Sequence, residues 1–277
     1  MTAATTRQLA PRMRRPADPA GLPATRVLLL HGMGAGVRSW DALAPLLAPR
    51  LELWDVSLPW SLAGDSAWAR GPAVGQWVSD PVAHLRRVTG RAPDVLVAHS
   101  FAANVVLELL TGPDQPPAAA VVLISPLYRG GDRELDWSAV VPSLQACYAR
   151  GIDEMRRRRS SRISDAASET LARRLFELMG AHAALRFYET YQRTPGLPLE
   201  SLTIPVLLVG GSDDPGASPP SVRALGERIP RVSLRILDGG GHFPATTRPR
   251  ELAGVVNGFL DEAVPAACRP APPEVPR

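Results

Sequence analysis

Lysine is absent from this sequence: all 31 basic side chains are arginines, and the formal net charge of the 277 residues is +4. A basic balance can indicate binding to nucleic acid or to an anionic surface. However, the abundance of alanine, proline and glycine, together with the absence of lysine, is typical of a protein encoded by G+C-rich codons. The positive charge therefore does not argue for phosphate contacts, and no nucleic-acid partner is expected.

Cysteine is nearly absent as well, because Cys147 and Cys268 are the only two. Two cysteines in a chain of this length do not build a disulfide framework, so we expect two free thiols in a reducing cytosol. The sequence has no H-E-x-x-H motif and no paired C-x-x-C motif, which argues against a catalytic metal. Neither a metal nor a cofactor is expected.

Long apolar runs are also missing. No stretch approaches the roughly 20 residues that span a bilayer, and residues 1–24 lack the apolar segment of a secretory signal. These features predict a cytoplasmic protein with no membrane partner. With 45% hydrophobic and 21% charged residues, the composition is that of a globular protein. The length suits one large domain with an inserted sub-domain, or two small domains.

Short apolar runs alternate with helix-like segments along most of the chain. Strands are predicted near residues 26–30, 51–58, 94–98, 118–125, 205–210 and 231–237, and helices near residues 39–47, 74–88, 101–110, 221–228 and 250–263. Such alternation predicts an α/β fold with a doubly wound, mostly parallel sheet. The alternation breaks at residues 130–200, where only helical patterns occur, at 137–150, 153–159, 165–179 and 181–192.

This break defines the predicted domain organisation. Residues 25–129 and 201–264 form the α/β core, and residues 130–200 form an inserted helical cap over one end of the sheet. Residues 1–24 and 265–277 are rich in proline and alanine and have no periodicity. They are predicted to be a flexible N-terminal arm and a flexible tail.

The strongest chemical signal is Ser100, which stands between the strand at 94–98 and the helix at 101–110. A sharp strand-to-helix turn lifts a serine hydroxyl above the sheet, and its tightness requires small neighbours. The two flanking small positions of the G-x-S-x-G pattern are Ala98 and Ala102 here. Ser100 is therefore the predicted nucleophile. The alternative is a serine that only caps the helix.

A serine needs a base to become a nucleophile, and the base needs a carboxylate to hold its tautomer. Among five histidines, His242 is favoured because three glycines precede it after the last strand. Two carboxylates, Asp213 and Asp214, follow the strand at 205–210, and at least one of them is expected to serve only the turn. Either choice gives the chain order Ser, Asp, His, which is the order expected for a nucleophile turn of this kind.

An anion site for the tetrahedral intermediate would complete the set. Backbone amides aimed at the developing charge are worth about 2.7–4 kcal/mol each. The H-G-M-G-A-G loop after the first predicted strand offers the amide of Met33, and the amide of Phe101 follows the nucleophile.

Together the H-G loop, the serine turn, the G-S-D-D strand end and the G-H-F segment resemble the α/β-hydrolase superfamily, over residues 26–263. The resemblance implies Ser100 as nucleophile, Asp214 as triad acid and His242 as base, with Met33 and Phe101 amides at the oxyanion. It departs after the second predicted strand, where the acidic, glycine-rich loop of many members is replaced by W-D-V-S-L-P-W. That departure bears on which substrate is expected, and it leaves the expected triad residues unchanged.

The substrate is predicted to be an ester or thioester of an apolar acyl group, either as a small molecule or bound to a carrier. Trp60 and Trp68 lie in a tryptophan-rich segment that could line the pocket, with His31 beside them, although packing of helices on the sheet explains these side chains equally well. Residues 156–159 are four consecutive arginines. They could meet an acidic carrier, or they could be a solvated helix face.

Two other functions remain open at this stage. A non-hydrolytic acyltransferase or cyclase, or a binding protein, could use the same scaffold. A dinucleotide-binding protein would use the glycine loop and Asp55, which ends the next strand as a ribose-binding acid would. The third glycine of that motif is missing. The sequence does not predict the oligomeric state.

Overall fold

The computed structural model describes residues 9–18, 24–61, 66–71, 73–113, 115, 117–130 and 164–264, with five isolated positions between 131 and 163. Within them a seven-stranded sheet has the order β1-β3-β2-β4-β5-β6-β7. The strands are β1 Arg12–Arg15, β2 Thr25–Leu30, β3 Leu51–Val56, β4 Val95–His99, β5 Ala120–Ile124, β6 Val206–Gly211 and β7 Val232–Leu237. All neighbouring pairs are parallel except β1 with β3.

The central strands are buried on both faces, as their unbroken apolar sequences predict. Successive side chains point to opposite faces. In β4, for example, Val95 and Val97 join one apolar layer, and Leu96 and Ala98 join the other. Helices cover both layers, so the predicted doubly wound, mostly parallel α/β sheet is confirmed.

The helices are α1 Gln76–Thr89, α2 Phe101–Thr111, α3 Asp165–Arg193, α4 Pro219–Glu227, α5 Pro244–Thr247 and α6 Pro249–Ala263. Gly180 interrupts α3 with a φ of 75°, so this helix is kinked between the two segments predicted at 165–179 and 181–192. No helix in the described part of the chain combines the length and the hydropathy needed to cross a membrane.

The predicted helix at 39–47 is wrong. Two short 3-10 turns replace it, at Val37–Trp40 and Ala44–Leu46. Pro45 explains the difference, because proline has no amide hydrogen to donate and its ring collides with the carbonyl four residues earlier in an α-helix. The apolar side chains that suggested a helix, Trp40, Leu43 and Leu47, are nevertheless buried against the sheet.

The predicted flexible arm also needs correction. Arg12–Arg15 forms β1 and pairs antiparallel with β3 at the edge of the sheet. Arg14 forms an ion pair with the buried Asp55 and donates to the carbonyl of Val37, while Arg15 donates to the carbonyls of Ala44, Leu47 and Ala48. Polar contacts thus attach this segment, and a search for apolar periodicity does not detect them.

Several predictions fall outside the described residues. They concern Cys147 and Cys268, the arginines at 156–159, the tail at 265–277, and most of the helices expected at 137–150 and 153–159. The division into core and cap therefore stays a prediction, with residues 164–200 as the described part of the cap.

The ion pair of β1 makes a prediction about stability. Arg14→Gln should lower the free energy of unfolding by roughly 2 kcal/mol, because it leaves the carboxylate of Asp55 buried without its cation. Arg223 is exposed on α4, which packs against β6 and β7 at the other end of the sheet from β1, so Arg223→Gln is the control and should change stability by less than about 0.5 kcal/mol. Urea unfolding measures both variants, and equal midpoints would contradict the role given to Arg14.

Candidate active site

A strained turn joins β4 to α2 at Ser100. Its φ of 53° and ψ of −121° lie outside the regions that a serine ordinarily occupies. Such strain persists only where surrounding contacts hold it. Here the Ser100 amide donates to the carbonyl of Ile124 at 2.8 Å, and the Ser100 carbonyl accepts from the amide of Ala103 at 2.8 Å. Ala98 and Ala102 flank the turn and are buried, which fits the requirement for small neighbours.

Gly32 is needed where the loop after β2 passes the serine. A Cβ atom at this position would stand 2.9 Å from Nδ1 of His99 and 3.1 Å from Cβ of Ser100. Both distances are too short for an unperturbed side chain, so glycine lets the loop approach the turn closely. The glycine of the H-G pair in this loop therefore has a packing reason in this chain.

His242 connects Ser100 to a carboxylate. Its Nε2 lies 2.9 Å from Oγ of Ser100, and its Nδ1 lies 2.8 Å from Oδ2 of Asp214. A neutral imidazole has one donor and one acceptor nitrogen. With Nδ1–H donating to the carboxylate, Nε2 is left to accept from the serine hydroxyl. The geometry therefore suits transfer of the Ser100 proton to His242.

Asp214 is the carboxylate that meets His242, as the family resemblance implied. It is buried, and its second oxygen accepts from the amides of Gly216 and Ala217 at 2.9 and 3.0 Å. Burial alone would raise its pKa, but the charge and hydrogen bond of His242, with the two amides, outweigh burial and lower the pKa of Asp214. Asp213 is exposed and accepts from the hydroxyl of Ser212.

The side chains of Ser100, Asp214 and His242 follow three strands of one sheet. Ser100 follows β4, Asp214 follows β6 and His242 lies in the loop after β7. The carboxyl ends of parallel strands meet at one edge, where ligands bind in open α/β sheets. A family model for the alpha/beta hydrolase family matches residues 27–255. This chain belongs to the alpha/beta hydrolase family.

Individual relatives are distant from this hydrolase. A pimeloyl-[acyl-carrier protein] methyl ester esterase of Aeromonas hydrophila subsp. hydrophila is 23% identical over 268 residues, covering 84% of this chain and 94% of that protein. A thermophilic esterase from Thermogutta terrifontis has a TM-score of 0.62 at 19% identity, with 91% and 93% of the two chains covered. A meta-cleavage product hydrolase from Pseudomonas fluorescens IP01 has a TM-score of 0.62 at 17% identity, with 91% and 94% covered. The structural likeness shows the fold.

The strand end before Asp214 and the loop before His242 touch through their backbones. A Cβ at Gly211 would stand 2.1 Å from the carbonyl oxygen of Gly240 and 2.7 Å from that of Gly241. The amide of Asp213 also donates to the Gly240 carbonyl at 2.9 Å. Glycine at position 211 therefore allows the two segments to approach closely enough for Asp214 and His242 to form their hydrogen bond.

The two residues expected at the oxyanion are each one position from a residue of the Ser100 turn or of the loop that approaches it. Phe101 begins α2, and amides in the first turn of a helix have no acceptor within the helix. Met33 follows Gly32 and is buried. The role of these two amides in holding an oxyanion stays a prediction.

His31 has a structural position instead of the pocket position that the sequence suggested. It has no exposed surface. Its Nδ1 lies 2.9 Å from the Gly32 carbonyl, and its Nε2 accepts from the Leu58 amide at 3.0 Å. Burial lowers the pKa of His31 to about 4, so the ring is neutral and both nitrogens are occupied by backbone. His31 thus ties the loop after β2 to the segment after β3.

Trp60 and Trp68 form an aromatic cluster with Phe101 and Phe187, next to the serine. Ring centroids of Trp60 and Trp68 lie 5.0 and 6.0 Å from that of Phe101, and the Phe187 centroid lies 6.0 Å from it. All four side chains are buried. Phe187 belongs to α3, so this helix reaches the residue that follows Ser100.

Arg186 attaches this part of α3 to the segment that contains Trp68. Its guanidinium donates to the carbonyl of Ala69 at 2.8 Å and to that of Gly71 at 3.4 Å. No role for Arg186 or Phe187 follows from the sequence, because a helical pattern does not show which distant loop a helix contacts.

Asp55 is engaged in a way that disagrees with dinucleotide binding. Its carboxylate is buried and paired with Arg14, whereas a ribose would need that carboxylate as an acceptor. In addition, the glycine loop leads into the 3-10 turn Val37–Trp40 rather than into the α-helix whose N-terminus would hold a pyrophosphate.

Proposed function

We propose that this alpha/beta hydrolase is a serine esterase or thioesterase that acts through an acyl-enzyme on Ser100. One observation supports the proposal above all: His242 hydrogen bonds to Ser100 and Asp214 at once, at the edge of the sheet where ligands bind. A serine that only capped α2 would hydrogen bond to the helix through its side chain, and the Ser100 side chain makes no such bond. A capping role also does not explain the buried imidazole beside Ser100.

The first half of the reaction forms the acyl-enzyme. Ser100 Oγ attacks the substrate carbonyl while its proton passes to Nε2 of His242. The Asp214 carboxylate stabilises the imidazolium that results. The tetrahedral oxyanion would accept from the amides of Met33 and Phe101. When the carbon–oxygen or carbon–sulfur bond breaks, His242 returns the proton to the leaving alcohol or thiol.

The second half releases the acyl group. A water molecule gives one proton to His242 and attacks the acyl carbon, and collapse of this second intermediate returns the proton to Ser100 Oγ. The products are a carboxylic acid and the regenerated enzyme. If another nucleophile replaced water, the same residues would perform acyl transfer or cyclisation, which is the second function that the scaffold allows.

An apolar acyl group fits the surroundings of Ser100. The aromatic cluster contains Phe101, the residue that follows the serine, and it belongs to a buried apolar layer that also includes Met33. Apolar pocket walls with a few polar groups are typical of small-molecule sites. The name of the Aeromonas hydrophila relative includes an acyl-carrier protein, so a carrier-bound acyl group is part of the proposed substrate range, beside free esters.

The proposal is tested by reaction with a fluorophosphonate, which labels a serine only when a base activates its hydroxyl. Intact-mass analysis should show one adduct per chain, on Ser100, and Ser100→Ala should abolish it. Ser125 offers a matched control, because it is also buried, at a strand end, with a positive φ of 49°. Ser125→Ala should keep the adduct.

A panel of p-nitrophenyl esters and acyl thioesters of increasing chain length then identifies the reaction. Turnover that rises with acyl length would support an apolar acyl substrate. Labelling of Ser100 without turnover of any member of the panel would indicate transfer or cyclisation instead. No adduct on folded wild-type protein would overturn the proposed mechanism.

A further inference from the structure

The residue before the nucleophile contacts the residue proposed as the base. His99 ends β4, is buried, and directs its Nε2 to the main-chain carbonyl of His242 at 2.7 Å. The two rings are 5.2 Å apart. No role for His99 follows from the sequence alone.

The ring of His99 is a neutral donor. Burial, with the nearby charge of His242, lowers the pKa of His99 to about 3. A carbonyl oxygen can only accept, so the single ring proton of neutral His99 resides on Nε2. Nδ1 is the unprotonated nitrogen, and it faces Gly32, where a Cβ would stand only 2.9 Å away. Glycine at 32 thus provides the space that this ring orientation requires.

The loop that His99 holds is rich in glycine. Gly239, Gly240 and Gly241 precede His242, and glycine loses more conformational freedom on ordering than any other residue. Contacts from the β6 side hold the first two of these glycines: Ser212 Oγ accepts from the Gly239 amide at 2.7 Å, and the Asp213 amide donates to the Gly240 carbonyl. His99 acts further along, on His242 itself.

We propose that His99 is a positioning residue, whose Nε2–H fixes the backbone of His242 relative to Ser100. Because His99 and Ser100 are adjacent in the chain, nucleophile and base are joined by two bridges, one through the Ser100 hydroxyl and one through His99. The inference rests on the proposed function, since it concerns the alignment of that same pair. A misplacement of about 1 Å in such a pair can cost about 100-fold in rate.

Two substitutions whose side chains have equal length distinguish hydrogen-bond donation by residue 99 from simple filling of the space. In glutamine the side-chain nitrogen stands three bonds from Cβ, as Nε2 does in histidine, and methionine places a methyl group there. His99→Gln should keep kcat within about threefold of wild type, and His99→Met should lower kcat by about 10- to 100-fold. KM should change little in either, because His99 is buried and its ring nitrogens face the backbone of His242 and Gly32.

A second measurement does not depend on turnover. The proton between His242 Nδ1 and Asp214 gives a strongly downfield NMR resonance when the bond is ordered. It should persist in His99→Gln and broaden or vanish in His99→Met, and fluorophosphonate labelling of Ser100 should follow the same order. Circular dichroism checks that each variant is folded.

The outcomes distinguish the two claims. If wild-type Ser100 is labelled but the two variants behave alike, the proposed function stands and the positioning role is refuted. A folded His99→Gln that loses more than about 10-fold in kcat refutes it too, even if His99→Met does not fold. If wild-type Ser100 is not labelled, the proposed function fails and the inference fails with it.

Discussion

Asp214→Asn is expected to lower kcat by about 10⁴-fold, and Asp213→Asn is expected to leave it within about twofold of wild type. The structure gives a reason for this difference. The Oδ1 atom of Asp214 accepts from two amides, so the oxygen of an asparagine would stay there and its NH₂ would face His242. Nδ1 of His242 would then become the acceptor, and its proton would move to Nε2. An Nε2–H cannot receive the proton of Ser100.

The comparison between the two variants provides its own control. Both substitutions replace a carboxylate by an amide at adjacent positions, so effects of net charge are matched. Steady-state kinetics with the best ester or thioester of the panel, together with the rate of fluorophosphonate labelling, measures the loss. Similar losses in the two variants would show that Asp214 does not orient the base.

Gly211→Ala is expected to lower kcat by about 100-fold, because it displaces the acid from the base without removing either. The added methyl group would stand 2.1 Å from the carbonyl oxygen of Gly240. Because this oxygen belongs to the backbone and cannot rotate away as a side chain could, one of the two segments must move. Gly211 lies three residues before Asp214, and Gly240 lies two residues before His242. Overpacking of this kind also costs about 1–3 kcal/mol in stability, so Tm should fall as well.

Gly258→Ala is the matched control for Gly211→Ala. Gly258 is exposed in α6, and an added Cβ there meets nothing within 4 Å. Alanine favours a helix interior over glycine by about 1 kcal/mol, so this variant should show a higher Tm and unchanged kcat. If Gly211→Ala retained wild-type kcat and Tm, the close approach of the two segments would not be what aligns Asp214 with His242.

The sequence predicted the sheet well because its strands are short, buried and apolar. Six of the strands and most helices were found from periodicity and from glycine and proline boundaries, and the family was recognised from four motifs in order. β1 was missed because backbone pairing with β3 and arginine donors to the turns between β2 and β3 hold it, rather than a pattern of apolar side chains. The helix at 39–47 was predicted in error because the effect of Pro45 was not weighed against the apolar spacing.

The candidate site was predictable in its residue types and less so in its contacts. Two adjacent carboxylates follow β6, and local preference gives no choice between them. The resemblance to the family implied Asp214, and the structure brings that residue to His242. His31 and His99 are both buried with backbone partners. Such partners come from loops distant in the chain, so no local pattern distinguishes a substrate-facing histidine from a structural one.

The outer strands of the sheet also bear on how copies of the protein meet. An edge strand presents unpaired amides and carbonyls that another molecule could extend into a continuous sheet. In the described sheet the two outer strands are β1 and β7, with an exposed Arg12 in the first and an exposed Arg235 in the second. A copy approaching either edge meets arginine. Added salt screens that repulsion beyond about 10 Å at 0.1 M, so resistance to aggregation through these edges decreases as ionic strength rises.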